Sequence, residues 1–180
     1  RGLFRKYAGL VYRDFDRNTH VIPEEKFWEM RKTGQWKLFR SIDWGYNDPF
    51  ACIWVAVDKD KNFYIYAEHY QAMKPTDYHV EKINQMSEGE KYEFTIGDSA
   101  NPQMLEDFRK KGFGIVGSMK GNLANAEQSG ISLIRDHLRI QSNSKPRLFV
   151  VDTCVNTIDE FESYRYPEPR DEKNQDQRPL

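Results

Sequence analysis

Two acids set the chemistry this chain can do. Asp43 closes the run Arg40-Ser41-Ile42-Asp43, and a tight Trp44-Gly45 turn follows it. Asp98 closes the β-rich run Phe94-Thr95-Ile96-Gly97, again beside a glycine. Carboxylates at the ends of neighbouring strands sit on rigid backbone and can converge on a hard divalent cation. Mg²⁺ and Mn²⁺ favour oxygen ligands. Two such ions about 4 Å apart can activate a water and stabilise the leaving oxygen of a phosphodiester. A strand-end Asp is also a common turn residue. The two readings separate on whether the strands carrying positions 43 and 98 are neighbours.

Other polar residues stand near these runs. Asp48, in the loop after Asp43, is either an auxiliary acid or a turn residue before Pro49. Glu68 ends an alternating run and reads as structural. Asp152 follows Leu148-Phe149-Val150-Val151 and reads as the N-cap of the helix after it. Gly45 and Gly97 read as serving backbone geometry beside the acids. Lys120 lies between a strand and a helix N-terminus, where a phosphate could bind. Arg109, Lys110 and Lys111 read as a solvated helix end. The four histidines have no HxxxH or HExxH spacing and are expected to bind no metal. There is no GxSxG elbow and no GxxxxGK[ST] phosphate loop.

The elements that must position the acids follow from periodicity. A hairpin is expected early, from Leu10-Val11-Tyr12 and His20-Val21-Ile22, with a short helical turn after Pro23. Three strands over about 37–43, 50–57 and 62–70, joined by short polar turns, predict an antiparallel meander. Helix and strand then alternate: helix 77–88 with Thr76 as its cap, strand 93–98, helix 102–111, strand 113–117, helix 123–138, strand 148–151 and helix 154–164. This is an α/β chain with a mixed central sheet and helices on both faces. Its order of elements resembles the ribonuclease H-like fold.

Composition bounds the partners. The 180 residues carry a net charge of −1 and 14% aromatics. Whole-molecule charge therefore does not advertise a nucleic-acid binder, and local basic groups must be weighed instead. Cys52 and Cys154 lie in or beside apolar runs and read as buried free thiols, which fits a reducing compartment. No apolar run approaches the roughly 18 residues of a membrane span.

Taken in order, Ser41-Ile42-Asp43-Trp44-Gly45 with Asp48-Pro49-Phe50-Ala51, Gly97-Asp98-Ser99-Ala100-Asn101-Pro102, Lys120-Gly121 before Ser129-Gly130-Ile131, and Val151-Asp152-Thr153-Cys154 before Glu160-Phe161-Glu162-Ser163-Tyr164 resemble the C-terminal nuclease domain of the large terminase subunit of tailed bacteriophages. The resemblance covers about residues 8–166. It implies a single nuclease domain over 1–180: an N-terminal hairpin and lead-in (1–36), a ribonuclease H-like core (37–166), and a polar loop (167–180) cut short before a final helix. It implies Asp43 and Asp98 as catalytic metal ligands; from the residues themselves, Asp48 is a further metal candidate and Lys120 a candidate DNA contact. The family's third acid is expected beyond Leu180, since Asp171 and Asp176 lack its motif.

The resemblance further implies two Mg²⁺ or Mn²⁺ ions and cutting of concatemeric double-stranded DNA during packaging. It implies an ATPase domain upstream in the same polypeptide, a small terminase subunit and a portal or procapsid as partners, no membrane, and the cytoplasm of an infected bacterial host. Another ribonuclease H-like nuclease, such as a transposase or junction resolvase, and a non-catalytic DNA- or protein-docking domain are the alternatives.

Overall fold

A computed structural model describes residues 9–118 and 123–166, the side chains of 123–128 excepted. Among these residues, seven strands form one sheet: β1 (Val21–Ile22), β2 (Lys37–Asp43), β3 (Phe50–Val57), β4 (Phe63–Gln71), β5 (Phe94–Gly97), β6 (Ile115–Gly117) and β7 (Leu148–Val151). Their spatial order is β1-β7-β4-β3-β2-β5-β6. The expected meander is present: β2, β3 and β4 pair antiparallel, and every other pairing is parallel. Only β3 therefore runs against the rest. The carboxyl ends of β2, β4, β5 and β7 all reach the same edge of the sheet, which is where open α/β sheets bind ligands.

Alternation along β3 builds the core. Phe50, Cys52, Trp54 and Ala56 are buried, and the residues between them are only half-buried. The buried face packs against α2 (Glu24–Thr33), α3 (Thr76–Met86) and α4 (Pro102–Lys110) through Phe27, Ile83, Leu105 and Phe108. The other face meets α5 (Leu123–Leu138) and α6 (Val155–Ser163) around Ile53, Ile65, Ile134 and Phe161. Both cysteines are buried and free.

Arg40 carries its cation into the buried face. Arg40 Nε donates to Thr95 Oγ1 on β5 at 3.0 Å, and the guanidinium lies 4.2 Å from the Tyr92 ring centre and 5.2 Å from that of Phe113. These contacts fasten β2 to β5 below the acid-bearing strand ends.

The amino-terminal region departs from expectation. Among the described residues there is no early hairpin: Leu10 makes an isolated bridge to Arg165, and β1 pairs in parallel with β7. Arg17–His20 forms a helical turn, α1, in between. His20 is the reason, because its ring is buried and holds the chain by contacts to the Asp16 and Leu138 carbonyls. The short turn expected after Pro23 is the ten-residue α2, whose buried residue is Phe27. Thr76 does not cap α3; it is the first helical residue, with Pro75 before it.

Candidate active site

Strand pairing brings the two acids together. β2 and β5 are parallel neighbours with Ile42 opposite Gly97. The Asp98 amide extends the ladder to the Ile42 carbonyl at 3.3 Å. The next residues, Asp43 and Asp98, therefore leave adjacent strand ends about 4.8 Å apart and on one face. That face is the one opposite Ile42 and Gly97, because side chains alternate. The two carboxylates whose sequence separation left their meeting open thus stand side by side.

The chain following each acid locks the pair in place. Trp44 turns back across the sheet end, and its indole Nε1 donates to the Asp98 carbonyl at 2.7 Å. Its ring packs against Phe108 at 5.0 Å and Phe50 at 6.0 Å. Gly97 makes room for that ring, since a Cβ there would lie 2.5 Å from Trp44 Cζ2. A Cβ at Gly45 would lie 2.4 Å from the carbonyl oxygens of Asp48 and Pro49, so only glycine fits the turn. Trp44 is the residue sequence reasoning missed. Its signal was a large aromatic set directly between a strand-end acid and a glycine.

The charges in the pair are unneutralised. Neither Asp43 nor Asp98 has an ion-pair partner among the described residues. Among those residues the Asp98 carboxylate accepts only from the Ala100 amide, at 2.9 Å. The Asp43 carboxyl is held above the usual carboxylate range, first by partial burial at the sheet end and next by the Asp98 charge, with the Trp44 amide acting in the opposite direction. Two adjacent carboxylates with no cation of their own suit a divalent cation, and Mg²⁺ commonly takes one or two carboxylates and keeps waters elsewhere. No group of three or more His, Cys, Asp or Glu suited to a metal occurs among the described residues.

The other candidate residues fall elsewhere. Asp48 is exposed, its side chain makes no hydrogen bond among the described residues, and it is not among the groups that act on Asp43. Its part in the turn is its backbone carbonyl against Gly45. Glu68 is structural: its carboxylate takes the Asn156 and Thr157 amides and both their side chains, capping α6. Asp152 does not cap the helix after it. Cys154 holds that position, and Asp152 Oδ1 accepts instead from the Glu24 amide at the start of α2, at 3.1 Å. With β4 and β3 between β7 and β2, Asp152 is about 14 Å along the sheet from Asp43. Arg109, Lys110 and Lys111 are exposed, as expected. Lys120, Asp171 and Asp176 lie outside the described residues.

The chain has counterparts among known proteins. The family profile described as "Terminase RNAseH like domain" matches residues 43–179. The chain belongs to the terminase RNase H-like domain family. A PBSX phage terminase large subunit from Bacillus subtilis (strain 168) is 30% identical over 132 residues, which are 72% of this chain and 28% of that one. The chain thus spans little more than a quarter of that relative. Among solved structures, the large terminase of a thermophilic bacteriophage matches with a TM-score of 0.71 at 20% identity, covering 89% of this chain and 38% of that one. The P22 large terminase nuclease domain matches with a TM-score of 0.65 at 16% identity, over 89% and 81% of the two chains. The large terminase nuclease domain of bacteriophage SPP1, solved with bound Mn, matches with a TM-score of 0.63 at 19% identity, over 85% and 82%. At these identities the structural matches establish the fold: a ribonuclease H-like mixed sheet with helices.

Proposed function

We propose that the chain is a divalent-metal-dependent DNA endonuclease domain that cuts double-stranded, concatemeric viral DNA during genome packaging. The observation that carries this reading is the unneutralised carboxylate pair, Asp43 and Asp98, on adjacent parallel strand ends. Membership of a terminase family supplies the substrate class, and the manganese bound by the SPP1 domain supports the choice of ion. Asp43 and Asp98 would hold Mg²⁺ or Mn²⁺. When bound, these ions supply charge neutralisation and a more acidic water for phosphodiester hydrolysis. The chain's own part is to keep the two carboxylates parallel and close. Trp44, Gly97 and the β2–β5 ladder do this.

In this reading residues 1–180 belong to a single nuclease domain of a large terminase subunit. An ATPase domain upstream in the same polypeptide, a small terminase subunit and a portal would be its partners. Its setting would be the cytoplasm of the infected bacterium. No helix among the described residues is long and apolar enough to cross a membrane.

The test is plasmid digestion with Mn²⁺ by the chain and by its Asp43→Asn and Asp98→Asn variants, together with a thermal-shift titration of the ion. Loss of both cleavage and ion-induced stabilisation in folded variants supports the assignment. Equal digestion and equal shifts by all three proteins would overturn it. A non-catalytic docking domain would bind DNA without any response to Mn²⁺.

A further inference from the structure

The peptide group that joins Asp98 to Ser99 is gripped at both ends. A trans peptide points its carbonyl and its amide in opposite directions. The carbonyl, which belongs to Asp98, faces β2 and accepts from Trp44 Nε1 at 2.7 Å. The amide, which belongs to Ser99, faces β6 and donates to Ser118 Oγ at 3.2 Å. Ser118 gives its own hydroxyl proton to Ser99 Oγ at 3.3 Å, which closes a ring between the two serines.

Ser118 is itself held firmly. It directly follows β6, and its amide donates to the Gly97 carbonyl at 2.8 Å, so the β5–β6 ladder runs one step beyond the paired strands. A Cβ at Gly117 would lie 3.3 Å from Ser99 Cβ and 3.2 Å from Leu105 Cδ1, and its absence lets the chain after Asp98 lie close against β6. Ser99 is thereby tucked toward Leu105 of α4. Side-chain alternation sends the Asp98 carboxylate to the other face of the sheet. The serine ring therefore occupies none of the carboxylate's lone pairs and leaves them to a ligand.

The amides around the acid are satisfied in three different ways. The Asp98 amide bonds to the Ile42 carbonyl at 3.3 Å, through backbone alone. The Ala100 amide bonds to Asp98 Oδ1 at 2.9 Å, within the turn itself. The Ser99 amide depends on a side chain from another strand, 19 residues further along. Removing that hydroxyl frees one end of the peptide plane, and rotation of this plane changes the backbone torsion that sets where the Asp98 side chain points.

We propose that Ser118 is a positioning residue for the divalent-ion site: opposite Trp44, it fixes the Asp98–Ser99 peptide plane and so keeps the Asp98 carboxylate beside that of Asp43. The inference rests on the nuclease reading for the ion that the two carboxylates hold.

The test is Mn²⁺ binding in the absence of DNA, read from the loss of the free-ion electron paramagnetic resonance signal. It is run on the chain and on its Ser118→Ala and Ser118→Thr variants, with backbone amide exchange followed by nuclear magnetic resonance on the same proteins. The net worth of one neutral hydrogen bond corresponds to a factor of about 2–10 in an equilibrium constant. Ser118→Ala should weaken Mn²⁺ binding by about that factor and quicken exchange at the Ser99 amide, while the Asp98 amide stays protected. Ser118→Thr keeps the hydroxyl and should restore both. A serine that served folding alone would lower the unfolding temperature and leave ion binding as it was. Mn²⁺ binding by Ser118→Ala equal to that of the parent, or a loss that Ser118→Thr does not recover, would overturn the positioning role. The nuclease reading survives that result, because the parent still binds the ion. A parent that binds no Mn²⁺ is a different outcome, and it would sink the nuclease reading and the role of Ser118 together.

Discussion

Glu68 and the Asp43–Asp98 pair occupy the same edge of one sheet in opposite electrostatic conditions. Glu68 is half-buried and its two oxygens take four hydrogen bonds from Asn156 and Thr157. Its negative charge sits at the N-terminus of α6, where the helix dipole favours it. Asp43 and Asp98 share no donor, have no cation among the described residues, and Asp43 is held above its usual range by partial burial and then by the Asp98 charge. A carboxylate whose lone pairs are filled by its own chain has no capacity left for a ligand. A pair left repelling at a sheet edge stores that capacity. Position at a strand end does not separate the two cases, but the inventory of partners does.

The largest effect should come from removing charge at the unfilled end. Asp43→Asn or Asp98→Asn should lower Mn²⁺-dependent DNA cleavage by about 100-fold or more while leaving the circular dichroism spectrum unchanged. Glu68→Gln, measured alongside, should cut within a few-fold of the parent. Similar losses in all three variants would erase the distinction between the two ends.

Stability should respond the other way round. Glu68→Ala strands the Asn156 and Thr157 amides, and hydrogen bonds to a charged group are worth about 1.5–3 kcal/mol each. Water reaches this half-buried site and recovers part of that, so a loss of about 2–4 kcal/mol in urea unfolding is expected. A Glu68→Ala chain as stable as the parent would mean that α6 holds its place by apolar packing alone.

Much of this contrast was legible in the sequence. Periodicity located β2, β3 and β4 to within a residue, and their short turns made an antiparallel meander the natural pairing. The meeting of Asp43 with Asp98 needed more: it depends on β5 crossing over to pair beside β2, a long-range choice that local pattern does not encode. The early hairpin failed for the same reason. Val21-Ile22 has the composition of a strand, but its partner is β7, about 130 residues away, and not Leu10-Val11. Asp152 shows how an N-cap signal can be read onto the wrong helix. The residue type was right for capping, but the helix it caps is α2, brought near by the β1–β7 pairing. The role of Trp44 depends on aromatic neighbours supplied by α4 and β3, so no spacing rule marks it.

The link between the two acid-bearing strand ends can be loosened without touching an acid. In Gly97→Ala the new methyl would meet Trp44 Cζ2 at 2.5 Å and Leu105 Cδ2 at 2.9 Å. Overpacking of this kind costs about 1–3 kcal/mol. The indole must shift, and with it the hydrogen bond that ties Trp44 to Asp98. Thermal unfolding should report the loss, and ion binding should weaken more than at Glu68→Gln. Undiminished ion binding in Gly97→Ala would show that the ladder alone holds the pair.

The smallest effect is the most specific. Because the folded chain raises the Asp43 carboxyl above its usual range, ionising it works against folding. The stability associated with the protonated group is fully present below the unfolded carboxylate range and is lost as pH rises through the raised value. At neutral pH and without metal, Asp43→Asn should therefore be slightly more stable than the parent, by less than about 1 kcal/mol because solvent reaches the group. The gap should close as the solution is acidified below about pH 4. Saturating Mn²⁺ should reverse the order, since the ion stabilises only the chain that binds it. Glu68→Gln should be destabilised under both conditions. Differential scanning fluorimetry of the three chains, with and without Mn²⁺, reads all of these signs at once. An Asp43→Asn chain less stable than the parent in EDTA would mean that Asp43 is already satisfied by its own fold, as Glu68 is, and the contrast between the two ends would be lost.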